Sequence, residues 1–142
     1  MTFKYKQVTT IAEIIEAIRL RLKVFCIKQG IKPLIEIDEH DKNATHFIAI
    51  NKGKVIGTAR TRILNKKSKI ERIVINKKFR NKGVGTGLVK IILNFLKRKN
   101  ISKIYLHAQY RAKNFYEKIG FKAKGKPFNE DGIKHIKMIY KN

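Results

Sequence analysis

The sequence predicts a mixed α/β fold in which antiparallel strand pairs are combined with one parallel crossover. Three observations support this prediction. The chain has 142 residues, of which 43 % are hydrophobic, and this suits a compact domain. Strand-like and helix-like hydrophobic periods alternate along it, and three successive strand patterns precede a long amphipathic helix. We therefore expect a single domain over residues 1–142.

Each predicted element depends on a local signal. Thr10 and Glu13 form a capping box that starts the first helix, since the two side chains can satisfy each other's free backbone N–H groups. Gly53 can take a positive φ in a hairpin turn, and Gly120 is placed to end the third helix. In chain order, the predicted elements are strand 3–8, helix 10–27, strands 46–50, 55–63 and 70–75, helix 84–100, strand 103–108, helix 111–119, and strands 121–123 and 133–140.

The charge balance is strongly basic. The chain has 34 Lys and Arg against 10 Asp and Glu, a net charge of +24, which attracts polyanions such as nucleic acids. The cations are spread along the chain, and no RRM, KH or zinc pattern occurs, so a nucleic-acid-binding module is an alternative that the pattern does not favour. A codon bias toward Lys, Ile and Asn is the simpler explanation of the charge.

The cysteine count and the apolar runs of the sequence predict the cellular compartment. The one cysteine, Cys26, cannot form an internal disulfide, which fits a reducing environment. No apolar run approaches the ~20 residues needed to cross a bilayer, and the first residues lack the apolar core of a signal peptide. We therefore expect a cytoplasmic protein with no membrane partner. Nothing near Cys26 indicates an activated thiol, and four scattered histidines do not predict a metal site.

Residues 73–87 carry the most informative pattern, in which a strand leads through a glycine-bearing loop into a helix. Bare N–H groups at a helix start carry partial positive charge, and glycines allow a ligand to approach the backbone closely. With the added charges of Arg80 and Lys82, the loop suits a phosphate or pyrophosphate. It is not a Walker loop, which needs Gly-Lys-Ser/Thr, and its glycine spacing and position do not fit the dinucleotide fingerprint.

The run Arg80-Asn81-Lys82-Gly83-Val84-Gly85 resembles the Arg-x-x-Gly-x-Gly pyrophosphate loop of the Gcn5-related N-acetyltransferases, the GNAT family. A second run at 112–121, Ala-Lys-Asn-Phe-Tyr-Glu-Lys-Ile-Gly-Phe, is similar to the family's Ala-x-x-Phe-Tyr-x-x-x-Gly-Phe segment. Further stretches at 25–29, 36–41 and 127–135 resemble the bacterial ElaA/YjcF-type branch.

The resemblance covers nearly the whole chain. It implies a mostly antiparallel, twisted sheet flanked by helices, which splays open near a bulge. It also implies direct transfer of an acetyl group from the cosubstrate acetyl-CoA to a primary amine, with no metal.

The resemblance also implies the residues that contact acetyl-CoA. The backbone of the strand before the loop would pair with the pantetheine arm, and the loop amides would hold the pyrophosphate. Gln109 stands where many members have an Asn that contacts the cofactor, and Asn114 is a second candidate for the pantetheine arm. The strand and loop residues are Ile73, Val74, Ile75, Arg80, Asn81, Lys82, Gly83, Val84, Gly85 and Thr86.

Three residues are catalytic candidates. Tyr116 of the second motif is expected to protonate the leaving thiolate, because the pKa of a phenol is close to that of a thiol; the alternative is a ring packed in the core. Glu71 stands where many family members have a carboxylate that removes the amine proton through water. His107 is the alternative base. Surface or structural roles are open for both, and Phe115 and Phe121 are expected in the core.

The acceptor side is less defined. Glu36, Asp38, Glu39 and Asp41 would either attract a cationic amine or have a purely local role, as a solvated loop or as partners of surface lysines. Residues 129–132 form a turn that could also line this side. The acceptor, a small-molecule or protein amine, and the choice between monomer and homodimer are left open. A catalytically silent CoA-binding protein is a further alternative.

Overall fold

The computed structural model describes residues 2–24 and 38–140. Four predictions lie outside the described residues: those for Cys26, for Glu36, for the segment 25–29 and for the end of the first helix near residue 27.

Within these ranges the chain forms seven strands and three α-helices. Short 3-10 turns occur at Glu39–Lys42, Lys77–Phe79 and Tyr110–Ala112. The strands are β1 (Lys4–Gln7), β2 (Thr45–Asn51), β3 (Lys54–Leu64), β4 (Lys67–Ile75), β5 (Lys103–Gln109), β6 (Phe121–Glu130) and β7 (Ile133–Tyr140), and the helices are α1 (Ile11–Arg21), α2 (Val84–Arg98) and α3 (Lys113–Ile119).

All seven strands belong to one sheet with the order β1-β2-β3-β4-β5-β7-β6. β4 and β5 are parallel, and every other neighbouring pair is antiparallel. A parallel pair needs a long crossover, and α2 supplies it. The predicted mixed α/β class and its parallel crossover are therefore confirmed.

The main core lies between the sheet and the helices α2 and α3. Leu88, Ile92 and Leu96 follow each other at four-residue spacing on α2 and are fully buried. A second, smaller cluster joins α1 to β4 through Leu20, Val24 and Val74. Successive strand residues point to opposite faces, and the neighbours of Val74 pack in the main core. Thus α1 covers the face of the sheet opposite α2.

Local signals placed most element ends to within one or two residues, although the strand predicted at 70–75 begins at Lys67. In the predicted capping box, Glu13 N–H donates to Thr10 Oγ1 and Thr10 N–H donates to Glu13 Oε1, each at 3.2 Å. The strand predicted at 121–123 is too short, since β6 continues to Glu130 with a register shift between Lys124 and Phe128. Lysines, a proline and a bulge are tolerated in an edge strand such as β6. The same residues are typical of a loop, so the sequence pattern did not predict this part of the strand.

None of the helices in the described ranges is long and apolar enough to span a bilayer.

Candidate active site

The site forms where β4 and β5 part. These strands pair only from Lys67 opposite Lys103 to Ile70 opposite Leu106. Beyond this point both strands continue without a ladder between them, β4 to Ile75 and β5 to Gln109. A cavity of about 590 Å³ occupies the gap.

A bulge in β4 accompanies the splay. Arg60 of β3 lies opposite Glu71, whereas Thr58 lies opposite Val74, so β4 carries one extra residue. Arg72 in the bulge has a φ of +56°, an unusual value for a residue other than glycine. A bulge bends its strand and increases the local twist, which turns the end of β4 away from β5.

The loop before α2 forms one end of the cavity. Gly83 is the N-cap of α2, with a φ of +84° and no side-chain hydrogen bond to the first turn. A Cβ on Gly83 would meet nothing within 4 Å. The first amides of a helix have no intrahelical acceptor, so this end of α2 presents donors and partial positive charge to an anion.

The neighbouring glycines have another role. A Cβ on Gly85 would lie 3.1 Å from the Phe115 ring, and one on Gly87 would lie 2.1 Å from the Tyr5 ring. These two glycines make room for aromatic side chains that pack on α2. The expectation that glycines allow close approach of a ligand therefore fits Gly83 and not Gly87.

Most of the predicted site residues come together around the cavity. Lys82 and Asn114 are exposed and do not line it. The predicted residues that do line it are Glu71, Ile73, Val74, Ile75, Arg80, Asn81, Gly83, Val84, Gly85, Thr86, His107, Gln109 and Tyr116.

Tyr116, on α3, combines a buried ring with access to the cavity. The ring packs edge-on against Phe115 at 4.9 Å and Phe121 at 5.9 Å between centroids, so the two phenylalanines lie in the core as expected. Within the described part of the chain, the Tyr116 hydroxyl makes no hydrogen bond. Burial raises its pKa, which keeps the proton on the phenol before any reaction but moves its pKa away from that of a thiol, so the close match expected for a free phenol does not hold at this buried position.

Glu71 lies on the β4 side of the cavity among cations. Its carboxylate accepts hydrogen bonds from Arg60 and Arg62, and Lys69 Nζ lies 3.3 Å away. Burial opposes ionisation of Glu71, but the bonds from Arg62 and the charges of Arg60 and Lys69 outweigh it and lower the pKa to about 2. A carboxylate held in this way is a weak proton acceptor.

Asp38 and Asp41 belong to the same network. Arg60, only 1 % exposed, donates to both carboxylates at 2.7–2.8 Å. Arg21 donates to Asp41 at 2.7 Å, and Arg72 donates to Asp38 at 3.0 Å. Of the two interpretations of these acids, the geometry favours local pairing, but with buried arginines instead of surface lysines. We call Asp38, Asp41, Glu71 and their arginine partners the arginine network.

The opposite wall carries a different group, which we call the histidine pair: His107 on β5 and His135 on β7 with Glu130 between them. His107 Nδ1 lies 3.0 Å from Glu130 Oε1, and His135 Nε2 lies 3.7 Å from Glu130 Oε2. The Phe128 ring packs against both imidazoles.

Sequence reasoning proposed His107 but missed Glu130 and His135 as site residues. The sequence predicts the turn at 129–132 only as a possible lining of the acceptor side. The alternation of side chains along β6 and β7 could have predicted their placement. Once the two strands pair, Glu130 and His135 lie on the same face of the sheet.

Known proteins agree with this architecture. The model of the acetyltransferase (GNAT) domain matches residues 6–142. An uncharacterized N-acetyltransferase of Bacillus subtilis, YjcF, is 31 % identical over 87 % of this chain and 89 % of its own length.

Solved structures agree as well. The crystal structure of Escherichia coli ElaA superposes with a TM-score of 0.88, covering 99 % of this chain and 100 % of that chain at 23 % identity. A Bacillus anthracis acetyltransferase structure holding acetyl coenzyme A is 30 % identical over 69 % of this chain and 62 % of that chain, with a TM-score of 0.60.

The fold is that of acyl-CoA N-acyltransferases. The chain belongs to the GNAT acetyltransferase family, and it is an acetyl-CoA-dependent N-acyltransferase. The predicted family and the likeness to ElaA and YjcF are confirmed.

Proposed function

We propose that this protein transfers an acetyl group from acetyl-CoA to a primary amine by direct attack of the amine on the thioester. The observation that supports this most is the cavity between β4 and β5, which reaches the N-terminus of α2 at one end and the Tyr116 hydroxyl within. A thioester placed there would have an anion-binding loop and a proton donor in reach.

The described residues fit acetyl-CoA in two ways. The backbone of Ile73, Val74 and Ile75 borders the gap on the side where β5 no longer pairs with it, so an extended pantetheine arm could add to it as a strand does. The uncapped first turn of α2, with Arg80 beside it, suits a pyrophosphate.

Tyr116 acts as the general acid in this proposal. When the amine displaces coenzyme A, the sulfur leaves as a thiolate and takes a proton. A phenol that retains its proton before the reaction and lines the cavity can supply it.

His107 acts as the general base. An alkylammonium must lose a proton before its nitrogen can attack. The arginine network lowers the pKa of Glu71, so Glu71 is the poorer acceptor of that proton. We therefore assign the base to His107, with Glu71 retained as the alternative through a water molecule.

The experiment is an amine panel with acetyl-CoA, read by release of free thiol. Tyr116→Phe should lower kcat by about 10²-fold, the typical contribution of a general acid, while the affinity for acetyl-CoA stays the same. Tyr140→Phe is the matched control, since Tyr140 also packs on Phe121, at 5.2 Å, without lining the cavity.

Three outcomes would contradict the proposal in whole or in part. If no amine releases thiol although acetyl-CoA binds, the protein is the catalytically silent CoA-binding alternative. If nucleic acid binds tightly with a steep salt dependence and acetyl-CoA does not bind, the +24 charge serves the nucleic-acid alternative. Equal effects of the two tyrosine variants would remove the acid role of Tyr116.

A further inference from the structure

We infer that Glu130 is a positioning residue for His107. Its carboxylate fixes the imidazole in the tautomer that can accept a proton, and it stabilises the imidazolium that forms. This inference rests on the proposed function, in which His107 takes the proton of the acceptor amine.

Glu130 determines the tautomer of His107. An ionised carboxylate can only accept hydrogen bonds. With Glu130 Oε1 at 3.0 Å from His107 Nδ1, the hydrogen of the neutral ring lies on Nδ1. A neutral imidazole has one N–H, so Nε2 keeps a free lone pair. His107 lines the cavity, and this arrangement leaves Nε2 as its basic atom.

His135 does not compete with His107 for the Oε1 atom of Glu130. Its Nδ1 lies 2.7 Å from the carbonyl of Ile133, and a carbonyl also only accepts, so His135 carries its hydrogen on Nδ1. Its Nε2 stands 3.7 Å from Glu130 Oε2, beyond hydrogen-bond distance. Glu130 Oε1 is thus left to His107.

The Phe128 ring packs against the imidazoles of both His107 and His135. The Phe128 ring meets His107 edge-on at 5.0 Å and stacks on His135 at 6.1 Å between centroids. The His135 side chain is 9 % exposed and that of His107 26 %. Packing therefore holds both imidazoles, and both line the cavity, with His107 having the larger exposed fraction.

The charges around Glu130 leave its carboxylate without a Lys or Arg partner among the described residues. Lys137 is the register partner of His107 on β7, but its ammonium lies over the Tyr105 ring, 4.9 Å from the centroid. Within residues 2–24 and 38–140, no Lys or Arg forms an ion pair with Glu130. Its negative charge is therefore not neutralised as that of Glu71 is.

In the proposed step, one proton moves from the alkylammonium of the acceptor to His107. An N–H bond of the alkylammonium breaks, an Nε2–H bond forms on His107, and the amine becomes neutral. The new positive charge on the imidazole lies next to the carboxylate of Glu130, and a charge-assisted hydrogen bond is stronger than a neutral one.

The test combines imidazole ¹⁵N NMR with steady-state kinetics on the whole chain. Glu130→Gln keeps an oxygen acceptor and loses the charge, whereas Glu130→Ala loses both. We expect His107 to keep its hydrogen on Nδ1 in wild type and in Glu130→Gln, and to lose this preference in Glu130→Ala. The value of kcat should fall about 10-fold in Glu130→Gln and about 10²-fold in Glu130→Ala, with the Kd for acetyl-CoA unchanged.

Asn129→Ala is the control on the same strand, because Asn129 is exposed and does not line the cavity. His135 serves as an internal reference, since its tautomer should not change in any variant. If Glu130→Ala leaves the tautomer of His107 or kcat unchanged, the positioning role is wrong. If wild type releases no thiol with any amine, the proposed function fails and this inference fails with it.

Discussion

The two walls of the cavity both carry carboxylates, but they hold them differently. On the β4 wall, Glu71 belongs to the arginine network, in which Arg60 also pairs with Asp38 and Asp41 behind the wall. On the β5–β7 wall, Glu130 contacts two imidazoles only, within the described residues. The carboxylate on the first wall is thus already paired with arginines, whereas in our proposal the second wall keeps an imidazole that can accept a proton.

The difference shows that position next to a cavity does not by itself make a carboxylate catalytic. Glu71 and Glu130 both line the cavity. Their partners decide what each can do, because an arginine retains its proton at every relevant pH and an imidazole does not.

The largest expected effect comes from removing the centre of the arginine network. Arg60→Met would leave three carboxylates around a buried position without their shared cation, and we expect a loss of about 3–5 kcal/mol in the free energy of unfolding. Urea denaturation measures it. Arg62→Met is the control, since the Arg62 side chain is 30 % exposed and, among residues 2–24 and 38–140, pairs only with Glu71; we expect about 1 kcal/mol or less. Equal losses in the two variants would show that Arg60 is not the centre.

The pH dependence of stability gives the next effect. The folded-state pKa of Glu71, about 2, lies below the ordinary value of 4.5. Its stabilising contribution is therefore complete above pH 4.5 and is lost as the pH falls toward 2, by up to about 3 kcal/mol. In Glu71→Gln the free energy of unfolding should depend less on pH in this window. Parallel curves for variant and wild type would contradict the ion pairing of Glu71.

The smallest expected effect is on kcat, and it compares a residue from each wall of the cavity. His107→Gln should lower kcat by about 10²-fold as a lost general base, whereas Glu71→Gln should lower it by less than about 10-fold, since its carboxylate is a weak proton acceptor. Both are measured by thiol release at a pH and temperature where each variant is folded. The reverse order would move the base to Glu71.

Sequence reasoning predicted the fold well because its signals are local. The capping box at Thr10, the glycine at the start of α2 and the periodic apolar residues of α2 each depend on neighbours within a few residues. The edge strand β6 was underestimated because its lysines and its proline are typical of a loop as well.

The candidate site was predictable only where a motif passes through it. Tyr116 and Gly83 belong to motifs, and both line the cavity. The arginine network was not predictable, since Arg72 and Asp38 are 34 residues apart in sequence and meet only through the folded sheet. Glu130 likewise approaches His107 across 23 residues, because β7 lies between β5 and β6 in the sheet.

The most direct test of the central claim, that the splayed sheet and the α2 loop bind acetyl-CoA, is a calorimetric titration with acetyl-CoA, with ATP as the anion control. Gly83→Glu and Gly53→Glu form a matched pair, because both glycines have positive φ and open space at the Cβ position, and Gly53 does not line the cavity. We predict one-to-one binding that survives added salt, exceeds that of ATP, is lost in Gly83→Glu and is kept in Gly53→Glu. Equal binding of both nucleotides that fades with salt and is the same in both variants would contradict the account.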